Sequence, residues 1–217
     1  TSESRVMMYR RVAERVRQAA PFLRFDRDPY LVVTGEGRLV WILDAYTTTD
    51  RYPYAQPDRG LNYIRNSVKV TVDAFDGNMV FYTVDTTDPL IRAWARAFPV
   101  LFTPFDKMPA DLKLHVRYPE DLFSLQARMY GTYHMHDPQV FYNKEDLWTI
   151  PRLTLEGRDR EMEPYFTVMR LPGGKQEEFV LLSGFNPARR NNMIAIMAAR
   201  SDVPNYGGLV VNTFPKQ

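Results

Sequence analysis

The sequence predicts an α+β fold: a mainly antiparallel sheet built from hairpins, with an N-terminal helix and a central helical segment. Three observations carry this. Aromatic and β-branched runs flank glycine turns across residues 30–88, Asp-Pro pairs open helical periodicities in the middle, and strand-like runs return after Pro164. No segment has the composition of a linker, so residues 1–217 are assigned to a single domain.

The first element is SRVMMYRRVAERVRQAA, in which Tyr9, Val12, Val16 and Ala20 fall on one helical stripe that Pro21 closes. Arg10, Arg11, Arg15 and Arg17 occupy its other faces, as on a solvated surface helix. Two hairpin units follow, YLVVTGEGRLVWILDAYTTTD and SVKVTVDAFDGNMVFYTVDTTD. Asp76-Gly77 predicts a two-residue type I′ turn with both central residues at positive φ. The units echo each other, each running from a turn glycine through an aromatic strand into Asp, Thr-Thr and Asp, which suggests a duplicated β motif in one sheet.

Asp88-Pro89 caps a helix whose Ile91, Trp94 and Phe98 share a face, ended by Pro99. After the loop LFTPFDKMP, the run LKLHVRY suggests a strand. Pro119, Glu120 and Asp121 then favour a helix start, with Leu122, Leu125, Met129 and Tyr133 as its expected buried stripe. A second pair, Asp137-Pro138, opens a short helix through VFYNKEDLW. Strands follow in YFTVMRL, EFVLLSGF, MIAIMAA and LVVNTF, separated by the Pro172-Gly173-Gly174 and Tyr206-Gly207-Gly208 turns.

Composition narrows the functional classes. Net charge is +2 from 28 basic and 26 acidic residues with the signs interspersed, unlike the basic stripe of a dedicated nucleic-acid binder. Cysteine is absent, which removes disulfides, thiolate metal sites and a cysteine nucleophile. The longest apolar run, Met193 to Ala199, is far below the ~18 residues of a spanning helix. Both ends look cut, so a piece of a longer protein is expected.

Phosphate-loop, dinucleotide-loop, nucleophile-elbow and HExxH motifs are all missing, and no cofactor is implied. Two constellations remain. The connection DRYPYAQPDRGLNYIRNS exceeds the usual loop length and carries Tyr52, Tyr54 and Tyr63 with Arg59 and Arg65, side chains suited to stacking on and hydrogen-bonding a polar ligand. The alternative is a long loop pinned to the sheet by its tyrosines. All three histidines lie between residues 115 and 136, so His115, His134 and His136 with Asp137 form a candidate metal set. Asp137 has a competing duty as the cap of Pro138, and His134 and His136 are expected to project to different sides. The acidic pairs Glu120-Asp121 and Glu145-Asp146 are adjacent in sequence and suit caps and solvated surface better than an acid/base dyad.

The runs APFLRFDRDPYLVV, WILDAYTTTDRYPYAQP, NYIRNSVKVTVDAFDG, RYPEDLFSLQARMYGTYHMHDPQVFYNKEDLWTIP and YGGLVVNTFPKQ closely resemble uncharacterised protein family 0182, large bacterial multi-pass membrane proteins. Asn212 is a minor departure, at a position where an aromatic is more usual. The resemblance implies a parent with several transmembrane helices near its N-terminus and a long soluble region on the outer side of the cell membrane, of which this chain is an internal piece. It implies no activity and transfers no site residue. Two functions are therefore expected of such a piece. The first is an extracytoplasmic binding or assembly module, partnered by the membrane-spanning part of its own parent or by a polar small molecule. The second is an envelope metal-assisted hydrolase using the histidine set.

Overall fold

The computed structural model describes residues 8–155 and 157–215. Packing separates two compact units, Thr1–Pro119 and Glu120–Gln217. In both, strands dominate and are mostly antiparallel, with helices between them, so the fold is α+β.

The first unit opens with α1 (Val12–Ala19), in which Val16 is buried, as is Ala20 just beyond it. The start of the predicted helix lies outside the described residues. Tyr9 falls before α1, half exposed at φ 54°, and so does not join its stripe. Strands β1 (Arg24–Phe25), β2 (Tyr30–Val33), β3 (Leu39–Thr49), β4 (Tyr63–Asp73) and β5 (Met79–Thr83) follow. Helix α2 (Pro89–Ala97) leads to β6 (Phe102–Pro104), and α3 (Ala110–Lys113) comes last. The sheet order is β1-β3-β4-β5-β6 with β2 also on β3, and both echoing hairpins lie in it, joined through β3 and β4. Among the described residues only β5 and β6 pair in parallel, because α2 carries the chain across between them.

One sheet face presents Leu43, Ala45, Val68, Val70, Val72 and Phe81 to Val16 of α1 and Ile91 of α2. Phe22 completes that core by stacking on Trp94 at 4.2 Å and on Phe98 at 5.2 Å. Asp88 caps α2 as the Asp-Pro pair predicts, accepting from the Leu90 and Ile91 amides. Opposite the core, the other sheet face carries polar groups.

Three local expectations are corrected. Residues 74–77 form a longer loop than a type I′ turn. Gly77 alone is at positive φ (71°), and the Asp73 carboxylate accepts from the Phe75 and Asp76 amides, so an acidic side chain shapes the turn. In place of a strand, LKLHVRY supplies the end of α3 and the turn after it, and the Lys113 to Val116 amides bond back along the chain at 3.1 to 3.3 Å. Phe102–Pro104, predicted as loop, forms β6.

The second unit holds α4 (Glu120–Tyr133), α5 (Pro138–Asn143), β7 (Trp148–Thr149), β8 (Arg152–Leu155) and β9 (Arg158–Glu161). Strands β10 (Tyr165–Met169), β11 (Glu178–Pro187), β12 (Ala195–Arg200) and β13 (Leu209–Thr213) form an antiparallel sheet in chain order, and β7 pairs with the end of β11. Its core includes Leu171, Val180, Leu182 and Ala198. β8 and β9 make a separate two-stranded hairpin, which the polar run RLTLEGRDRE did not announce.

The expected stripe of α4 is also corrected. Phe123, Ala127 and Gly131 are buried instead, while Met129 and Tyr133 are 40% and 49% exposed. Glycine decides the rotation. A Cβ on Gly131 would lie 2.5 Å from the Trp148 carbonyl oxygen, so the helix approaches β7 along the one side that lacks side-chain bulk.

Gly77→Val is expected to lower stability by about 1 to 2 kcal/mol or more, because a β-branched residue resists positive φ. A Cβ there would also meet the Arg15 guanidinium, which donates to the Gly77 carbonyl at 2.8 Å. Thermal denaturation checks this, and an unchanged Tm would refute the turn geometry.

Candidate functional site

Polar chemistry in the first unit is concentrated on the sheet face opposite its core. Strand pairing puts Asp44 of β3 directly across from Lys69 of β4, which in turn lies across from Tyr82 of β5. Lys69 is fully buried, and its Nζ donates to Asp44 Oδ1 and, at 3.0 Å, to the Arg117 carbonyl. Tyr46 donates to Asp26, whose own amide donates to the Asp44 carbonyl at 2.9 Å. Arg117 lies 3.7 Å above the Tyr30 ring and 3.4 Å from Asp28. Burial pushes the Asp44 carboxyl above its usual range, and the Lys69 ammonium opposes that shift. Fully buried and bonded both to β3 and to the Arg117 carbonyl, Lys69 fastens the sheet to the covering segment.

A register shift organises a second cluster. Ala45 pairs with Val68 and Thr47 with Arg65, so Tyr46 alone opposes Asn66 and Ser67, as in a β-bulge. Asn66 there donates to Asp44 at 2.9 Å, and Ser67 donates to Asp88 at 2.6 Å. Thr47 and Tyr63 also donate to Asp88, the latter at 2.6 Å. Thus the Thr-Thr of the first echoing hairpin meets the terminal Asp of the second. Burial alone would raise the Asp88 pKa, but the Ser67, Thr47 and Tyr63 hydroxyls and the Leu90 amide outweigh it and hold the carboxyl below its ordinary range. Desolvation and the hydrogen bond to Asp88 push Tyr63 up to about 12.

This cluster anchors the tyrosine- and arginine-rich connection. Tyr63 and Arg65 belong to β4, so the loop ends at Asn62. Tyr52 stacks on Tyr63 at 4.9 Å, and the Asn62 side chain brackets the loop by accepting from the Tyr52 amide and donating to the Tyr52 and Ala55 carbonyls. Asp58 and Leu61 exchange two backbone hydrogen bonds around Arg59 and Gly60, at φ 48° and 82°, the type I′ signature expected at Asp76-Gly77. Tyr54 is fully exposed at φ 61°, Arg59 is exposed, and Arg65 faces Asp85 at 3.4 Å. Of the five residues proposed for a ligand, Tyr52 and Tyr63 thus face each other while Tyr54 and Arg59 face solvent.

The histidines occupy different settings. His115 is exposed in the first unit, after α3. His134, just past α4, stacks on Trp148 at 3.8 Å and on Tyr130 at 5.8 Å, its Nδ1 is 3.0 Å from the Tyr130 carbonyl, and its Nε2 faces Asp146 at 3.6 Å. His136 is exposed, and Asp137 caps α5 by accepting from the Gln139 and Val140 amides. Among the described residues, no three His, Asp or Glu side chains are grouped to hold a metal ion. Asp44, Lys69 and Asp88 lie outside the two constellations that sequence spacing picks out. The available signal was a charge inside each of two neighbouring apolar strand runs, WILDAY and SVKVTV.

Fold and site together define a two-unit α+β segment whose buried polar groups hold loops and helices to a sheet. The chain belongs to the Uncharacterised protein family UPF0182, whose family model matches residues 1–217. It is 52% identical over 219 residues to a UPF0182 protein of Desulforamulus reducens and 55% identical over 219 residues to one of Bradyrhizobium diazoefficiens. A Geobacter sulfurreducens relative is 52% identical over 217 residues. Each comparison covers the whole chain but only 24% of the relative, so the chain spans about a quarter of the length of these curated relatives. No solved structure matches it.

Two outcomes follow from this chemistry. Lys69→Met and Asp44→Leu should each cost about 3 to 5 kcal/mol by stranding a buried charge, whereas the double variant should recover much of the loss. Denaturant unfolding of all four proteins checks this, and strict additivity would refute the coupling. Asp88→Asn keeps a competent helix cap but removes the charge. Because the folded pKa of Asp88 is lowered, its contribution is complete above the ordinary value near 3.9 and is lost as pH falls through the folded value. The stability gap between the native protein and this variant should therefore narrow from pH 6 to pH 2; a constant gap contradicts the assignment.

Proposed function

We propose that the chain is a non-catalytic binding or assembly module on the outer side of the cell membrane, carried by a multi-pass membrane protein and serving that protein's membrane-spanning part. Its family membership and its share of much longer relatives support the modular part of this reading. Among the described residues, no helix is long and apolar enough to cross a membrane, which leaves the spanning role to other parts of the parent.

One observation carries the binding role. The loop before β4 is held by Asn62, by the Asp58–Leu61 pair and by the Tyr52–Tyr63 stack, yet it holds Tyr54 and Arg59 at positive φ and exposed. Non-glycine residues in that conformation cost energy, and an ordered surface that retains them presents their side chains in a fixed arrangement. An aromatic ring and a guanidinium on such a frame suit a polar ligand with a flat apolar face, such as a sugar.

The native chain has no cysteine, so a thiol at position 54 adds one reporter to this region. In intact cells making the full-length protein with Tyr54→Cys, a membrane-impermeant maleimide is expected to label it above the background of the unmutated protein. Labelling only after lysis would overturn the outer location. A thermal-shift screen of neutral and anionic sugars should then give a shift that Tyr54→Ala with Arg59→Ala abolishes; a shift unaffected by both changes would exclude this loop.

A further inference from the structure

The buried pair in the first unit's sheet brings together the two halves of an amide. Asp44 and Lys69 are directly opposed on β3 and β4, both buried, and Lys69 Nζ donates to Asp44 Oδ1. A third buried charged residue lines up with them. Asp26 follows β1, and its amide donates to the Asp44 carbonyl at 2.9 Å, which continues the β1–β3 register and sets Asp26 opposite Asp44. Residues opposed across antiparallel strands share a sheet face, so Asp26, Asp44 and Lys69 form a row. Ile42 and Tyr46, two residues either side of Asp44, and Tyr82, across from Lys69, are buried around it. Burial raises the Asp44 carboxyl against the opposing Lys69 ammonium, and the Asp26 charge adds to the rise, which favours the protonated acid.

Ions held in a dry interior carry a desolvation cost that their mutual attraction repays only in part. Condensing the pair removes both charges. We propose that Lys69 and Asp44 condense to an isopeptide bond that joins β3 to β4 covalently. The Lys69 ammonium first gives a proton to Asp44 Oδ2, and the neutral amine attacks Asp44 Cγ. A second proton then passes from nitrogen to Oδ2, the Cγ–Oδ2 bond breaks, and one water leaves. An ammonium and a carboxylate thus become an amide and water, with no change of oxidation state and no co-reactant. The neighbours fit each part of this step. The Arg117 carbonyl, 3.0 Å from Nζ, holds the amine, and Asn66 donates at 2.9 Å to Oδ1, the oxygen that carries negative charge in the tetrahedral intermediate. Asp26 relays the second proton, its carboxylate held by the Tyr46 hydroxyl and the Asp28 amide. Fixed contact supplies the effective concentration that such a condensation lacks in free solution. The bond closes a loop between residues 25 apart and locks the β3–β4 register after folding. This proposal is independent of the loop at Tyr54 and of the side of the membrane.

The test is peptide mapping of the full-length protein, folded in its host, then denatured and digested with trypsin. The expected species is a branched peptide in which residues 39–51 are joined to 66–92 with Lys69 uncut, lighter by one water than the two linear peptides together. Fragmentation in the mass spectrometer should place the link between Asp44 and Lys69. Linear peptides alone, with normal cleavage after Lys69, would overturn the proposal, and so would a link from Lys69 to Asp26. Because the unmutated protein is read directly, the result does not depend on whether a variant folds. Two variants then examine the relay. Asp26→Asn removes proton transfer of the kind worth about 10²- to 10⁴-fold in rate, so the branched peptide should become a minor product, and Asp26→Glu should restore it. Native yield in Asp26→Asn, or equal loss in both variants, would overturn the role given to Asp26.

Discussion

The first unit depends on the buried pair between Lys69 and Asp44, which joins the two longest strands of its sheet at a directly opposed position. A buried ion pair adds little net stability compared with apolar groups of the same size. Its consequence is specificity. Sliding β4 by one residue would turn Lys69 toward Leu43, Ala45 and Phe81 and turn Val68 and Val70 away from them, leaving two charges without partners in the interior. The same ammonium donates to the Arg117 carbonyl and so fixes the segment after α3 over the sheet. Register, sheet face and covering segment therefore share one constraint.

A comparable economy appears toward one end of the two central strands of that sheet. Asp88 caps α2 and also receives the hydroxyls of Thr47, Ser67 and Tyr63, so a single carboxylate ties a helix start to two strands. Through the Tyr63 ring this order reaches Tyr52 and hence the loop that presents Tyr54 and Arg59. The loop's conformation is accordingly set by the sheet beneath it. That is the condition under which exposed side chains can bind without a large ordering cost.

The second unit uses aromatic packing where the first uses charge. Tyr130, His134, Trp148 and Phe185 are in ring contact across α4, β7 and β11, and this surrounds a histidine that sequence spacing had placed in a metal set. Clustering along the chain is a poor guide to chemistry for imidazoles. Their ring also packs as an aromatic, and only the fold shows which use is made of it.

Composition and spacing determined a good deal about this protein. The β-branched and aromatic runs of YLVV, LVWILDAY and EFVLLSGF predicted strands, Asp88-Pro89 and Asp137-Pro138 predicted helix starts, and the long matching runs along the chain pointed to its family. These are local properties, set by the period of a strand, the geometry of a cap and the order of residues. Other features were decided only by tertiary packing. Helix α4 had two apolar faces of similar merit, and the close approach at Gly131 chose between them. The type I′ turn formed at Arg59-Gly60 and not at Asp76-Gly77, where the Asp73 side chain captured the loop amides. Asp44 and Lys69 stand 25 residues apart in sequence, and pairing of β3 with β4 brings them into contact. Such choices lie between alternatives of nearly equal local energy, so the distant group that arrives at each position settles them.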